Sequence, residues 1–249
     1  MLIAASAVGA ALFIWPFILS GLPDPLVALS LAMGCLAVLA AVEASARRLD
    51  SRRFALLAAI AGMDAALRLV LVTGIGGFSP IFFLILVAGY VYGPRFGFLC
   101  GAISLLASAV ATGGLGPWLP YEMFGCAWTG VAAGIAGLHR NGPPTHFDIV
   151  VLAGVAVVAG FAYGGLLDIW DWTTFYRGTP TIGFVAGAGP VALLGRFAGF
   201  YVVTSAAWDS FRAVGDALAV AVLGTPVMAG LARLRNRLSY VVAGEAEPV

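Results

Sequence analysis

The chain alternates apolar segments of helical length with short segments that hold most of its polar residues. Apolar windows predict eight membrane-spanning helices. They cover residues 2–19, 25–42, 54–74, 80–92, 97–111, 119–138, 149–170 and 211–231, the fourth being short. A further apolar stretch, residues 191–207, is interrupted by Arg196.

Polar signals inside this apolar pattern are concentrated between residues 54 and 138. Asp64 and Arg68 lie within the third segment, and the loop 74–80, the turn 93–97 and the segment 113–122 follow. A charged side chain in the middle of a membrane costs roughly 2.5–3.5 kcal/mol on insertion scales, so lipid-facing positions do not favour one. We therefore expect these groups to line a cavity walled by protein, which indicates a membrane protein that binds a solute.

Composition sets the class of the protein. Of the 249 residues, 61% are hydrophobic and only 10% are charged, too few polar residues to cover a soluble domain. We therefore predict an all-α polytopic membrane protein. All 13 basic residues are arginine, and a chain without lysine has neither the P-loop lysine nor a Schiff-base lysine. Active transport by this protein would need ATP hydrolysis by a partner.

The residue types that usually bind metals carry no such signal here. Cys35, Cys100 and Cys126 each fall within an apolar segment, and His139 and His146 flank a turn. None of them has metal-ligand spacing, so we interpret the cysteines as small buried hydrophobic residues. We expect no metal, no resident cofactor and no catalytic residue. The N-terminal segment lacks a basic region and a clear cleavage site, which favours a retained helix over a signal peptide.

The arginines predict the orientation of the helices. Nine of them lie between or after predicted segments, at Arg47, Arg48, Arg52, Arg53, Arg95, Arg140, Arg233, Arg235 and Arg237. Alternating crossings put all nine on one side, which the positive-inside rule makes cytoplasmic, together with both termini. A crossing by residues 191–207 would move the last three outside, so we expect that stretch to be an interfacial or re-entrant helix on the outer side. The predicted divisions are an N-terminal hairpin with a basic loop (1–50), a six-helix core (51–238) and a tail (239–249).

The charged pair in the third segment has two interpretations. Asp64 and Arg68 are four residues apart, so they share a helix face and can neutralise each other. They form either an internal structural pair or a polar lining beneath a ligand.

The predicted outer loops are rich in glycine and aromatic residues, which suits the capture of a ligand. Trp118 and Tyr121 are either interface anchors or ligand contacts, whereas Glu122, one turn into a span, needs a partner or a ligand. Trp172 and Tyr176 belong to a loop, residues 171–190, that is either a solvated surface or the cover of a ligand.

The last segment opens with another charged group. Asp209 and Asp216 lie seven residues apart on one face, with Arg212 near it. They are candidates for a binding site or for a salt-bridge network that holds the helix. The candidate substrate-binding residues are therefore Asp64, Arg68, Phe78, Trp118, Tyr121, Glu122, Trp172, Tyr176, Asp209 and Asp216.

Three segments carry a family resemblance. Residues 78–84, 88–97 and 113–118 resemble the substrate-binding S component of energy-coupling factor transporters, and the resemblance covers residues 54–232. The two N-terminal helices are an addition to that pattern. The resemblance implies a cell-membrane subunit, not an enzyme, that captures a vitamin or vitamin precursor from outside, with a cobalamin-type corrinoid as the first candidate and other water-soluble vitamins left open. Its implied partners are a coupling membrane subunit, a pair of ATPases and membrane lipid, with no nucleic acid.

The same family docks its coupling subunit through small residues spaced four apart near the cytoplasmic end of the first core helix. Two such rows are present, one formed by Ala58, Gly62 and Ala66 and the other by Ala61 and Ala65. Small residues allow helices to approach closely in lipid, and packing inside the same bundle explains them equally well.

Two other functions remain as alternatives. A secondary transporter working alone would be supported by inverted repeats, and no convincing similarity between halves is found. A membrane enzyme acting on lipid would need an acidic cluster with metal-ligand spacing in the inner loops, which do not offer one.

Overall fold

A computed structural model gives the structure of the chain and describes residues 2–18, 30, 33–34, 37, 51–70, 79–140 and 142–244. These residues form eight helices. They are α1 (Leu2–Ile18), α2 (Ser51–Val70), α3 (Ile81–Tyr92), α4 (Pro94–Thr112), α5 (Leu119–Ala136), α6 (His146–Phe175), α7 (Pro190–Thr204) and α8 (Ala206–Gly244). Within the described ranges the β-type pairing is confined to one isolated bridge, between Arg177 and Phe184.

The predicted all-helical class is confirmed for the described residues. Three helices are long and apolar enough to cross a membrane, namely α4, α6 and residues 206–237 of α8. These lengths indicate a membrane-embedded protein. Helices α3 and α7 have 12 and 15 residues, shorter than the roughly 20 that a bilayer core requires. The second predicted segment, residues 25–42, lies almost wholly outside the described residues.

Helix α6 is longer than predicted at both ends. Thr145 caps its start, because the Thr145 hydroxyl accepts a hydrogen bond from the backbone N–H of Asp148 while the Asp148 carboxylate accepts one from the backbone N–H of Thr145. The helix continues to Phe175 instead of ending at Trp170. Asp171 and Trp172 are therefore helical residues, not loop residues, and the direction of each side chain follows the helical period.

Glycine brings α4 and α5 into direct backbone contact. A Cβ at Gly97 would overlap the carbonyl group of Gly130, and a Cβ at Gly130 would overlap that of Gly97. One turn along, a Cβ at Gly101 would overlap the backbone of Cys126. The two helices pack this closely because these positions have no side chain.

Helix α3 lies at the centre of the bundle, in contact with α2, α4, α5, α6 and α8. Its residues are apolar on every side, a pattern typical of a fully buried helix. Residues 85–88 have no exposed surface. A short central helix thus anchors the longer ones around it.

Helix α1 packs on the core through α5. The Trp128 indole N–H donates a hydrogen bond to the Ser6 hydroxyl over 3.1 Å. The ring of Phe13 lies 5.2 Å from that of Tyr121 and 5.6 Å from that of Trp128, measured between centroids. Helix α1, the described part of the N-terminal addition, is therefore packed on the bundle.

The end of α3, the start of α6 and the C-terminal part of α8 meet at one end of the bundle, which we call the arginine end. An Arg235 guanidinium N–H donates to the carbonyl of Val91 over 2.9 Å, and the Tyr92 hydroxyl donates to the carbonyl of Leu231 over 2.9 Å. The Tyr90 hydroxyl donates to Asp148. The opposite end carries the start of α5 and the end of α6, and we call it the aromatic end.

Candidate functional site

A cavity of 210 Å³ lies at the aromatic end, between the start of α5 and the end of α6. Its lining residues come in two groups of three, Trp118, Tyr121 and Glu122 from one side and Leu167, Trp170 and Asp171 from the other. Both groups have the spacing i, i+3, i+4, which puts three side chains on one face of a helix. The cavity is thus the space between two matching helix faces.

Aromatic rings form much of the cavity wall. The ring of Trp170 lies edge-on to that of Trp118, with 5.8 Å between centroids, and 6.4 Å from that of Tyr121. Phe175 packs against Trp170 from outside the lining, at 5.4 Å. Trp170 is therefore the central ring of the site, held from several directions.

The charges at the cavity do not balance. Glu122 has Arg68 of α2 as a charged neighbour of opposite sign and Asp171 as one of the same sign. In the described part of the chain, no arginine forms an ion pair with Asp171. Two carboxyl groups therefore line the cavity, and Arg68 is a charged neighbour outside the lining.

The predicted ion pair between Asp64 and Arg68 is not formed. Asp64 is fully buried, with Ser104 of α4 as its polar neighbour, but neither carboxyl oxygen has a hydrogen-bond partner among the described residues. Arg68 is instead a charged neighbour of Glu122, without an ion pair to it. The pairing that the sequence allowed is absent because a shared helix face permits a contact without requiring it.

Asp64 nevertheless lies below the cavity. Cys126 is one turn deeper than Glu122 on α5 and is completely buried. Its charged neighbours include both Asp64 and Arg68. Asp64 and Arg68 are thus both charged neighbours of Cys126, and neither belongs to the lining of the cavity.

Asp209 belongs to a separate buried network between α6, α7 and α8. Its carboxylate pairs with Arg212 and accepts a hydrogen bond of 2.9 Å from the Tyr201 hydroxyl. The Arg212 guanidinium lies 5.3 Å from the centroid of the Tyr163 ring, a cation–π contact. This arrangement matches the salt-bridge alternative for Asp209.

Asp216 is buried two turns farther along α8, with only 1% of its surface exposed. Arg212 is its charged neighbour, and one of its carboxyl oxygens, Oδ1, has no hydrogen-bond partner within the described ranges. Neither Asp209 nor Asp216 lines the cavity.

Trp172 and Tyr176 point away from the cavity. Trp172 is fully buried, and its indole N–H donates to the carbonyl of Ile182 over 2.7 Å. Tyr176 packs on Phe200 of α7, with 4.7 Å between ring centroids. Both side chains point in another direction than the lining residues, and their contacts with Ile182 and Phe200 hold the following loop in place. Arg196 also holds this loop, because its guanidinium donates a hydrogen bond to the carbonyl of Gly183 over 2.7 Å.

The remaining candidate, Phe78, lies outside the described residues.

The two small-residue rows of α2 face different surroundings. Ala58, Gly62 and Ala66 are exposed, and a Cβ added at Gly62 would meet nothing within 4 Å. Ala61 and Ala65 are buried, with 2% and 8% of their surfaces exposed. The second row therefore packs inside the bundle and offers no docking surface.

A polar cluster at the arginine end explains the fold of that end. Asp148 pairs with Arg140, whose pKa is raised by this hydrogen bond. The Tyr90 hydroxyl donates to the same carboxylate over 2.7 Å. Asp148 therefore joins α3, the loop after α5 and the start of α6. Both of its carboxylate oxygens already accept hydrogen bonds from groups of the protein.

The sequence analysis did not predict that Trp170 and Asp171 lie beside Trp118, Tyr121 and Glu122 of the α5 side. The signal was the continuing i, i+3, i+4 spacing of Leu167, Trp170 and Asp171, which crosses the predicted end of the helix.

Among the described residues, no group of three or more histidine, cysteine, aspartate or glutamate side chains could hold a metal ion.

Searches for similar proteins provide no independent assignment. No known protein family, curated protein or solved structure matches this chain. The function therefore has to be argued from the cavity and from the sequence.

Proposed function

We propose that the chain is the solute-capturing membrane subunit of an importer of the energy-coupling factor type, with six core helices and cytoplasmic termini. The cavity between α5 and α6 is the observation that carries this proposal. It lies at the end away from Arg140 and Arg235. With the arginine end in the cytoplasm, the cavity faces the side from which a solute arrives.

The energy comes from partners in this proposal. A chain without lysine cannot form a P-loop of its own, so a coupling membrane subunit and two ATPases supply the ATP hydrolysis. The exposed row of Ala58, Gly62 and Ala66 is the proposed contact with the coupling subunit. Replacing Gly62 with leucine should weaken assembly with the coupling subunit and leave solute capture unchanged.

The size of the cavity bears on the solute. Ligand pockets commonly measure roughly 300–1,000 Å³, and this one measures 210 Å³. The volume favours a vitamin or precursor built on one or two rings over a whole corrinoid.

Capture can be tested with the full-length protein purified without partners. We expect a small molecule to co-purify and to be released by denaturation for mass spectrometry. Trp170→Ala should lose this molecule because it removes the central ring of the cavity. Trp208→Ala is the matched control, since Trp208 is 56% exposed and lies outside the lining. Equal retention by both variants, or no bound molecule in the unchanged protein, would refute the proposal.

A stand-alone secondary transporter is the second candidate. The fully buried carboxyl group of Asp64, with no hydrogen-bond partner among the described residues, favours it, because intramembrane carboxyl groups often bind a coupling ion. Solute uptake by proteoliposomes containing this chain alone, driven by a proton or sodium gradient, would support this candidate over the importer subunit.

A further inference from the structure

We propose that the captured solute is an organic cation whose positive charge lies on, or directly beside, a flat ring. This inference rests on the proposed function, because it assigns a substrate class to the same cavity. Two properties of the cavity support it, namely its charge and its rings.

The charge favours a cation. Glu122 and Asp171 line the cavity, and the described residues form no ion pair with either of them. Arg68 is the charged neighbour of opposite sign to Glu122 and lies outside the lining. The described lining residues therefore provide two carboxyl groups and no cationic side chain. Asp171 is half-buried, and the described residues provide no ion-pair partner for it. A cationic solute supplies the missing partner.

The rings favour the same class. Trp118, Tyr121 and Trp170 line the cavity together, with centroid distances to Trp170 of 5.8 and 6.4 Å. Aromatic faces attract a cation through their quadrupoles, and tryptophan does so most strongly. Flat ring edges and faces also give good packing for another flat ring.

Solutes of other charge fit less well. An anion would approach the two carboxyl groups of the lining, and the described lining residues include no guanidinium to pair with it. A neutral solute would leave the half-buried Asp171 carboxylate without a counter-charge, which is unfavourable. The Asp171 carboxylate, which attracts a cation, therefore also disfavours anionic and neutral solutes.

A set of three ring compounds of similar size tests this inference. The three compounds are 1-methylnicotinamide, nicotinamide and nicotinate, which are cationic, neutral and anionic, respectively. Equilibrium dialysis measures how tightly each one binds to the full-length protein in detergent. We expect the cation to bind at least about tenfold more tightly than the neutral compound, and the anion most weakly. Equal binding of the cation and the neutral compound, tighter binding of the anion, or no binding of any of the three contradicts the inference.

Two variants of one residue make the test specific. Asp171→Asn keeps the shape of the side chain and should remove the roughly tenfold preference for the cation, because it weakens binding of the cation and removes the carboxylate that disfavours nicotinamide. Asp171→Glu keeps the charge and should retain the preference. A preference that survives in Asp171→Asn overturns the role of Asp171.

The failure of this inference can be told apart from that of the proposed function. A neutral or anionic molecule that co-purifies and is lost in Trp170→Ala would sink the substrate class and leave solute capture intact. If no molecule co-purifies and Trp170→Ala changes no binding, capture itself is refuted.

Discussion

The carboxyl group of Asp209 lies directly on the backbone of Gly164, so closely that a Cβ at position 164 would overlap the carboxyl atoms. This contact between α6 and α8 depends on the absence of a side chain at that position. It holds Asp209 where Tyr201 and Arg212 can reach it.

Gly164→Ala should therefore destabilise the protein strongly. The added methyl group displaces Asp209 and breaks a buried charge pair, which commonly costs about 3–5 kcal/mol. Gly165→Ala is a neighbouring control, because a Cβ there would meet only the Tyr201 ring, at 3.8 Å. Thermal unfolding in detergent should show a large loss for the first variant and little change for the second. Equal unfolding temperatures would contradict the proposed contact.

The backbone contact between α4 and α5 predicts a second glycine effect. Gly130→Ala should reduce the free energy of unfolding by about 1–3 kcal/mol, because the methyl group overlaps Gly97 and forces the helices apart. Gly154→Ala, at a helical position where a Cβ would meet nothing within 4 Å, should be neutral or slightly stabilising. Chemical unfolding of the two variants side by side measures the difference. A neutral result for Gly130→Ala would show that the helices are not in backbone contact.

Asp64 should be dispensable for folding and needed for function. Asp64→Asn keeps the shape of a buried side chain whose carboxyl oxygens have no partner among the described residues, so we expect the free energy of unfolding to stay unchanged or to rise by about 1 kcal/mol. The interpretation of Asp64 as a polar lining beneath the ligand predicts that solute binding is lost. Membrane insertion is checked by fractionation and binding by equilibrium dialysis. Binding equal to that of the unchanged protein would rule out a functional role.

Two tyrosines two residues apart on α3 give a graded test of the arginine end. Tyr90→Phe removes a hydrogen bond to the charged Asp148 and should cost about 1.5–3 kcal/mol of stability. Tyr92→Phe removes a bond to the neutral carbonyl of Leu231 and should cost about 1 kcal/mol. Unfolding curves should show the first variant as the less stable. The reverse order would mean that the Asp148 cluster contributes little.

The proposed orientation predicts which introduced cysteines react from outside. In a background without native cysteines, Arg177→Cys at the aromatic end should react with a membrane-impermeant maleimide in whole cells. Arg233→Cys, near the end of α8, should react only after the membrane is permeabilised. The opposite pattern would invert the topology and refute an outward-facing cavity.

The sequence alone determined the class and most of the helices. The apolar segments 80–92, 97–111 and 119–138 differ from α3, α4 and α5 by at most a few residues at each end. Such segments are identified reliably because helix length and hydrophobicity are local properties of the chain. The interruptions by glycine, proline and charge also identified Trp118, Tyr121 and Glu122, which the cavity brings together.

The tertiary structure decided which polar residues meet. Asp64 and Arg68 share a helix face, yet they form no ion pair, and Arg68 is a charged neighbour of Glu122 on α5. Trp172 follows Asp171 directly in the sequence, but one is buried beneath the loop and the other lines the cavity. A helix rotates by about 100° per residue, so the packing of neighbouring helices determines which of these directions becomes a site. That packing depends on contacts between residues far apart in the chain, such as Gly97 with Gly130, which local hydrophobicity does not encode.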